Sequence, residues 1–210
     1  MNHQKIQAIV FDLDGTLYVS EAFESAVWHS VSRYAGELLG VTPEEGGYRI
    51  KSLRERLTAE RGTLQTLAVA IEVIGGTVPE MHRRFAEDLE PQHLIQPDPR
   101  VKPLVERLST HYTSWLLTNN NQTLAGKILA HLELEQSFER IITINDTWRP
   151  KPDQLLLEQV LTSLDLPPEA VLFVGDRYDI DLRLPEQAGC PVFLTKTIDE
   201  LMQLDVLLPN

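Results

Sequence analysis

Asp12 and Asp14 stand one residue apart in Asp12-Leu13-Asp14-Gly15-Thr16, and the glycine opens a turn on which both carboxylates can face one small volume. Three later segments carry complementary groups: Thr118-Asn119-Asn120, Lys151-Pro152-Asp153, and Gly175-Asp176 followed by Asp179 and Asp181. This is the chemistry of phosphoryl transfer, which needs positioning and charge neutralisation above all. Asp12, Asp14, Asp176 and Asp181 would repel one another if packed together without a cation, and their hard oxygens suit Mg²⁺. Thr118, Asn119 and Lys151 can hold phosphoryl oxygens, the lysine as a point charge. With repulsion toward a dianion offset, the Asp12 carboxylate can attack phosphorus directly. Asp14 can protonate the leaving alkoxide and then activate the water that cleaves the acyl phosphate.

Each of these segments follows a short apolar run of strand character. Such runs occupy residues 6–11, 114–117, 141–144, 171–174 and 192–194. Between the later ones lie amphipathic stretches: Val101, Leu104, Val105 and Leu108 fall on one helix face, as do Leu124, Ile128 and Leu132. Strands alternating with helices predict a doubly wound parallel α/β sheet covered on both faces, with its site at the C-terminal strand ends. Residues 20–96 break the alternation. They read as helices near 22–39, 53–60, 64–74 and 79–90, punctuated by Gly46-Gly47, Gly75-Gly76 and the prolines from Pro91 onward. The expected organisation is a catalytic core of residues 1–19 and 97–210, with an α-helical cap of residues 20–96 inserted after the first strand.

Phe11-Asp12-Leu13-Asp14-Gly15-Thr16 resembles the first motif of the haloacid dehalogenase superfamily, and Thr118, Lys151 and Gly175-Asp176 with Asp181 resemble the second, third and fourth, in order. The resemblance spans the chain, with the helical insertion in the place of that superfamily's type-one cap. It implies Asp12 as nucleophile, Asp14 as acid and base, Thr118 and Lys151 as phosphoryl holders, and Asp176 as a metal ligand. The fourth motif's spacing selects Asp181 over Asp179 as the second metal-side carboxylate and leaves Asp179 as a helix N-cap. Pro185 follows closely; unless the helix begins near Asp181, it implies a local distortion. An acid two residues after the nucleophile is the phosphatase and phosphomutase pattern within the superfamily. The expectation is therefore a phosphate-monoester hydrolase acting on a small phosphorylated metabolite. A β-phosphoglucomutase-like phosphomutase and a receiver-like phospho-acceptor switch are the alternatives. The stretches around Tyr18, Arg61–Leu67 and Pro97–Pro99 are similar to the pyrimidine 5′-nucleotidase branch, which implies nucleoside 5′-monophosphates as substrates, with Arg61 and Thr63 as cap residues meeting them. Tyr18, Tyr48 and Trp148 are the aromatics that could stack on a flat base.

The rest of the sequence narrows the class. Net charge is −12, from 19 basic and 31 acidic residues, which disfavours nucleic acid and anionic membranes as partners. Cys190 is the only cysteine, so no intramolecular disulfide forms, and a reducing, cytoplasmic setting is expected. No apolar run approaches the roughly 20 residues of a membrane helix, and the N-terminus has no signal-peptide pattern. The six histidines lack HxxxH or HExxH spacing, and Gly126-Lys127 lacks the upstream glycine of a P-loop.

Overall fold

The computed structural model describes residues 6–208; residues 1–5 and 209–210, which the sequence assigns to the core, lie outside it. Five parallel strands form one sheet: β1 (Ala8–Phe11), β2 (Thr113–Leu117), β3 (Arg140–Ile142), β4 (Val171–Gly175) and β5 (Val192–Leu194). Their order is β3-β2-β1-β4-β5. The order reverses between β1 and β4, and at such a switch point the connections leave toward opposite faces and open a crevice beyond the strand ends. Phe11 lies level with Leu116 of β2 and Val174 of β4, so the segments that follow these three strands emerge side by side. All four residues of β1 are buried, as a central strand covered on both faces requires.

The third strand is shorter than its apolar run. Asp146 Oδ2 accepts from the Thr143 backbone N–H at 2.7 Å and from its hydroxyl at 2.9 Å. This local capping pulls Thr143 and Ile144 out of the ladder into a single helical turn.

The chain divides into two compact units, one ending at Ser20 and resuming at Ile95, the other spanning Glu21–Leu94. The second is all helical: α1 (Glu21–Leu39), α2 (Pro43–Arg61), α3 (Leu67–Val73), α4 (Val78–Asp88) and α5 (Pro91–Leu94). Gly46-Gly47, read from the sequence as a break, lies inside α2. Thr42 caps that helix by accepting from Glu45 N at 3.3 Å, with Pro43 in the first turn. The glycines serve packing instead: a Cβ on Gly46 would stand 2.4 Å from Gly36 N and 2.7 Å from Ser32 O of α1. Only bare backbone lets the two helices approach so closely.

His82 on α4 is buried and meets Phe85 edge-on at 5.5 Å. Burial pushes its imidazole down from 6.5 to about 4. Between those values the unfolded chain binds the proton and the folded one does not, so this contribution is complete above pH 6.5 and is lost as pH falls toward 4. His82→Gln removes the titration. The stability gap between wild type and variant, from urea unfolding, is expected to narrow by on the order of 2 kcal/mol between pH 7 and pH 5. A gap independent of pH would refute this assignment.

Candidate active site

Asp12 continues the β1 ladder, its N–H donating to Val174 O at 2.8 Å, and the carboxylate is buried at 3% exposure. The chain then turns sharply. Thr16 N and Leu17 N both reach back to Leu13 O, and Gly15 adopts φ +78°. A Cβ at Gly15 would also come within 2.5 Å of Asp176 Oδ2, so glycine is needed here for its backbone and for the approach of the β4 segment. Close approach alone requires glycine at the end of β4, where a Cβ on Gly175 would meet Asp181 Cβ at 2.5 Å.

Lys151 enters the site from the loop after β3 and is 5% exposed. Its Nζ lies 2.6 Å from Asp12 Oδ1, 2.7 Å from Asp181 Oδ1 and 2.8 Å from Leu117 O. Asn119 holds the lysine from behind: its Oδ1 accepts from Lys151 N at 2.7 Å and its Nδ2 donates to Lys151 O at 3.1 Å. The sequence reading put Asn119 on a phosphoryl oxygen. Here both of its polar atoms are on the Lys151 backbone, and that makes it a brace for the loop. Asp153, two residues on, caps the helix over Gln154–Leu164, accepting from Leu156 N at 2.9 Å.

Asp12, Asp176 and Asp181 each place a carboxylate oxygen within 4.8 Å of the others. Asp181 Oδ1 is buried without an aligned hydrogen-bond donor, its contact with the lysine being ionic. Three carboxylates around one buried ammonium leave an excess of negative charge, and the half-exposed Arg177, 3.3 Å from Asp176 Oδ1, offsets it from one side. An acidic, oxygen-only donor set of this kind fits a hard divalent cation. The same crowding shows in the proton affinities. Burial pushes Asp12 up to about 7, with the Lys151 charge opposing and Asp181 adding to it. Burial likewise lifts Asp176 to about 6, against the pull of Arg177. Burial alone would lower Lys151; Asp12 and Asp181 outweigh it and hold the ammonium above its usual value.

Asp14, the fourth carboxylate of the metal set read from the sequence, has its own group of donors. Asn120 Nδ2 donates to its Oδ1 at 2.9 Å and to its Oδ2 at 2.7 Å, the Tyr18 hydroxyl donates to Oδ1, and the Thr118 hydroxyl lies 3.5 Å from Oδ2. These donors take up the carboxylate. Asn120 and Tyr18 were not expected in this role; Tyr18, grouped with possible base-stacking aromatics, is 3% exposed, whereas Tyr48 and Trp148 are exposed at 68% and 42%.

Asp179 is not among the three clustered carboxylates; its Oδ1 lies 3.7 Å from Arg183 Nε, and it is not the N-cap expected of it. The segment Tyr178–Leu182 forms one wide π turn ahead of a short helix over Arg183–Gln187. Pro185 has no N–H for the carbonyl four residues back and its ring crowds that carbonyl, which the wider turn relieves. Arg61 and Thr63 belong to the helical unit. Arg61 Nη1 donates to Gln65 Oε1 at 2.9 Å, and Gln65 Nε2 donates to Thr63 O at 2.8 Å, so both are tied into one pinned loop.

The haloacid dehalogenase-like hydrolase profile matches residues 6–189. The chain therefore belongs to the haloacid dehalogenase-like hydrolases. Among curated relatives, it is 28% identical over 192 residues to a phosphoglycolate phosphatase of Yersinia pestis, covering 89% of this chain and 79% of that one. It is also 28% identical over 200 residues to pyrophosphatase PpaX of Bacillus mycoides, covering 92% and 83%. The fold is similar to that of a HAD phosphatase from Thermococcus onnurineus, with a TM-score of 0.64 at 19% identity over 97% of this chain and 98% of that one. No helix among the described residues is long and apolar enough to cross a membrane.

Replacing Lys151 by Met keeps the side chain's length and removes the charge between Asp12 and Asp181. Breaking a buried pair by removing one partner costs about 3–5 kcal/mol, because the other charges are left uncompensated. Urea unfolding in EDTA is expected to show a loss of that order; a loss under about 1 kcal/mol would mean the ammonium is not the counter-ion of this site.

Proposed function

We propose that this chain is a Mg²⁺-dependent phosphate-monoester hydrolase that works through a phospho-aspartyl intermediate on Asp12. The observation that carries the reading is the division of labour between two carboxylates at the switch point. Asp12 Oδ1 is pinned by Lys151, and Oδ2 has a single hydroxyl donor, Thr16 at 3.2 Å, while Asp14 is held separately two residues on. Family membership and the phosphatase names among the relatives support the same class.

In this reading an Asp12 carboxylate oxygen bonds to phosphorus as the ester P–O bond breaks, and Asp14 gives its proton to the leaving oxygen. Asp14 then takes a proton from water as that water attacks phosphorus, releasing phosphate and restoring Asp12. Lys151 and Thr118 hold the phosphoryl oxygens, and Asn119 steadies Lys151. Mg²⁺ held by Asp12, Asp176 and Asp181 would supply charge neutralisation for the carboxylates and the incoming dianion. The helical unit is read as a cap, with Arg61 and Thr63 as its specificity residues.

The substrate is a small phosphorylated metabolite. The nucleotidase-like stretches direct attention to UMP and CMP; the relatives' names direct it to 2-phosphoglycolate and pyrophosphate. Ranking kcat/KM across those four compounds, with an aryl phosphate as baseline, decides between them. UMP and CMP falling to the baseline would end the nucleotidase reading.

Asp12→Asn is expected to lose several orders of magnitude in kcat, since an amide cannot supply the attacking oxygen. Retention of more than about a tenth of the wild-type rate would exclude the covalent route. EDTA should abolish turnover and Mg²⁺ restore it. Asp176→Ala should raise the Mg²⁺ concentration for half-maximal activity far more than Asp179→Ala, and equal shifts would remove Asp176 from the metal set.

A further inference from the structure

We infer that Tyr18 and Asn120 are positioning residues for Asp14. The inference rests on Asp14 being the general acid of the proposed reaction. Its basis is the set of donors that close around the carboxylate. Oδ1 accepts both the Tyr18 hydroxyl and Asn120 Nδ2, the latter at 2.9 Å. Oδ2 accepts Asn120 Nδ2 at 2.7 Å and has a longer contact of 3.5 Å with the Thr118 hydroxyl. Asn120 thus bridges both oxygens, and Tyr18 pins one of them.

The two anchors are built into local structure. The turn that Gly15 opens folds the backbone back, so that Tyr18 forms a bridge with Asp14 four residues earlier and its ring is buried beneath. Asn120 comes from the loop after β2, where Thr118 Oγ1 accepts its N–H at 3.1 Å. One anchor thus arrives from the Asp14 segment and the other from a different strand end. Together they fix the carboxylate against rotation about both of its torsions. Without them Asp14 still reaches the site but samples orientations in which its carboxyl group no longer faces the leaving oxygen, and proton transfer demands alignment to within a hydrogen bond.

The test compares two substrates of nearly the same shape. Phosphoryl transfer to Asp12 expels 4-nitrophenolate readily from 4-nitrophenyl phosphate. Phenyl phosphate must release a phenolate as basic as tyrosine's, of pKa about 10, and depends on the acid. The readout is kcat/KM, which covers the steps through transfer to Asp12. Tyr18→Phe, which keeps the buried ring, and Asn120→Ala should each lower kcat/KM for phenyl phosphate by about tenfold or more while lowering that for 4-nitrophenyl phosphate by under about threefold. Equal losses on the two substrates, or no loss on either, would overturn the inference, since a merely structural role has no leaving-group dependence. Asp14→Asn is the reference. If it shows the selective loss and the anchor variants do not, the positioning role alone fails. If Asp14→Asn itself shows none, the general-acid reading fails.

Discussion

The ammonium of Lys151 lies between two buried carboxylates, 2.6 Å from Asp12 and 2.7 Å from Asp181, and the rest of the crevice is arranged around that pairing. Removing three charges from water is costly, and the low dielectric that makes it costly also makes their attraction strong once geometry is right. The geometry depends on three strand ends at once. Asp12 is set by the β1 ladder, Lys151 by the Asn119 clamp on its backbone, and Asp181 by a turn that packs against bare Gly175. Displacing Lys151 would leave both carboxylates with uncompensated charge, so the pairing couples the ends of strands that are far apart in sequence.

Much of this was legible from residue types at strand ends. A parallel sheet gathers the C-terminal ends of its strands, so polar groups that follow apolar runs converge whatever their separation in the chain, and this located Asp12, Thr118, Lys151, Asp176 and Asp181 before any coordinates. What was not legible is how neighbouring polar residues divide their work. Thr118-Asn119-Asn120-Asn121 is a run of similar side chains on one loop. Asn119 holds Lys151, Asn120 holds Asp14, and Asn121 caps the following helix by accepting from Leu124 N at 2.9 Å. Which amide faces which partner is set by loop torsions that residue type does not encode. Tyr18 illustrates the same limit, since an aromatic near a cleft reads as a stacking surface until the turn at Gly15 is seen to bury it.

The helical unit was harder to read for a different reason. Gly46-Gly47 carries the composition of a break, yet the pair sits within a nineteen-residue helix because α1 presses against it. A tertiary contact overrides local propensity there, and nothing within a short window signals it. The ends of that helix were more readable: Thr42-Pro43 opens it, and Gly62, at φ +68°, closes it.

The strand order has a consequence for how the chain comes into being. Ala8 pairs with Thr113 on one side and with Val171 on the other, so the central strand has neither neighbour until most of the polypeptide exists. Closing those distant pairings is entropically expensive and slow, whereas the helices of residues 21–94 form a compact unit whose contacts lie close together in the chain. On a ribosome adding about 5–20 residues per second, the apolar Ala8–Phe11 segment waits several seconds, sticky and unpaired, while the helical unit emerges behind it. The interval in which nascent chains of this topology are open to a chaperone, or to each other, is set by the placement of a four-residue strand.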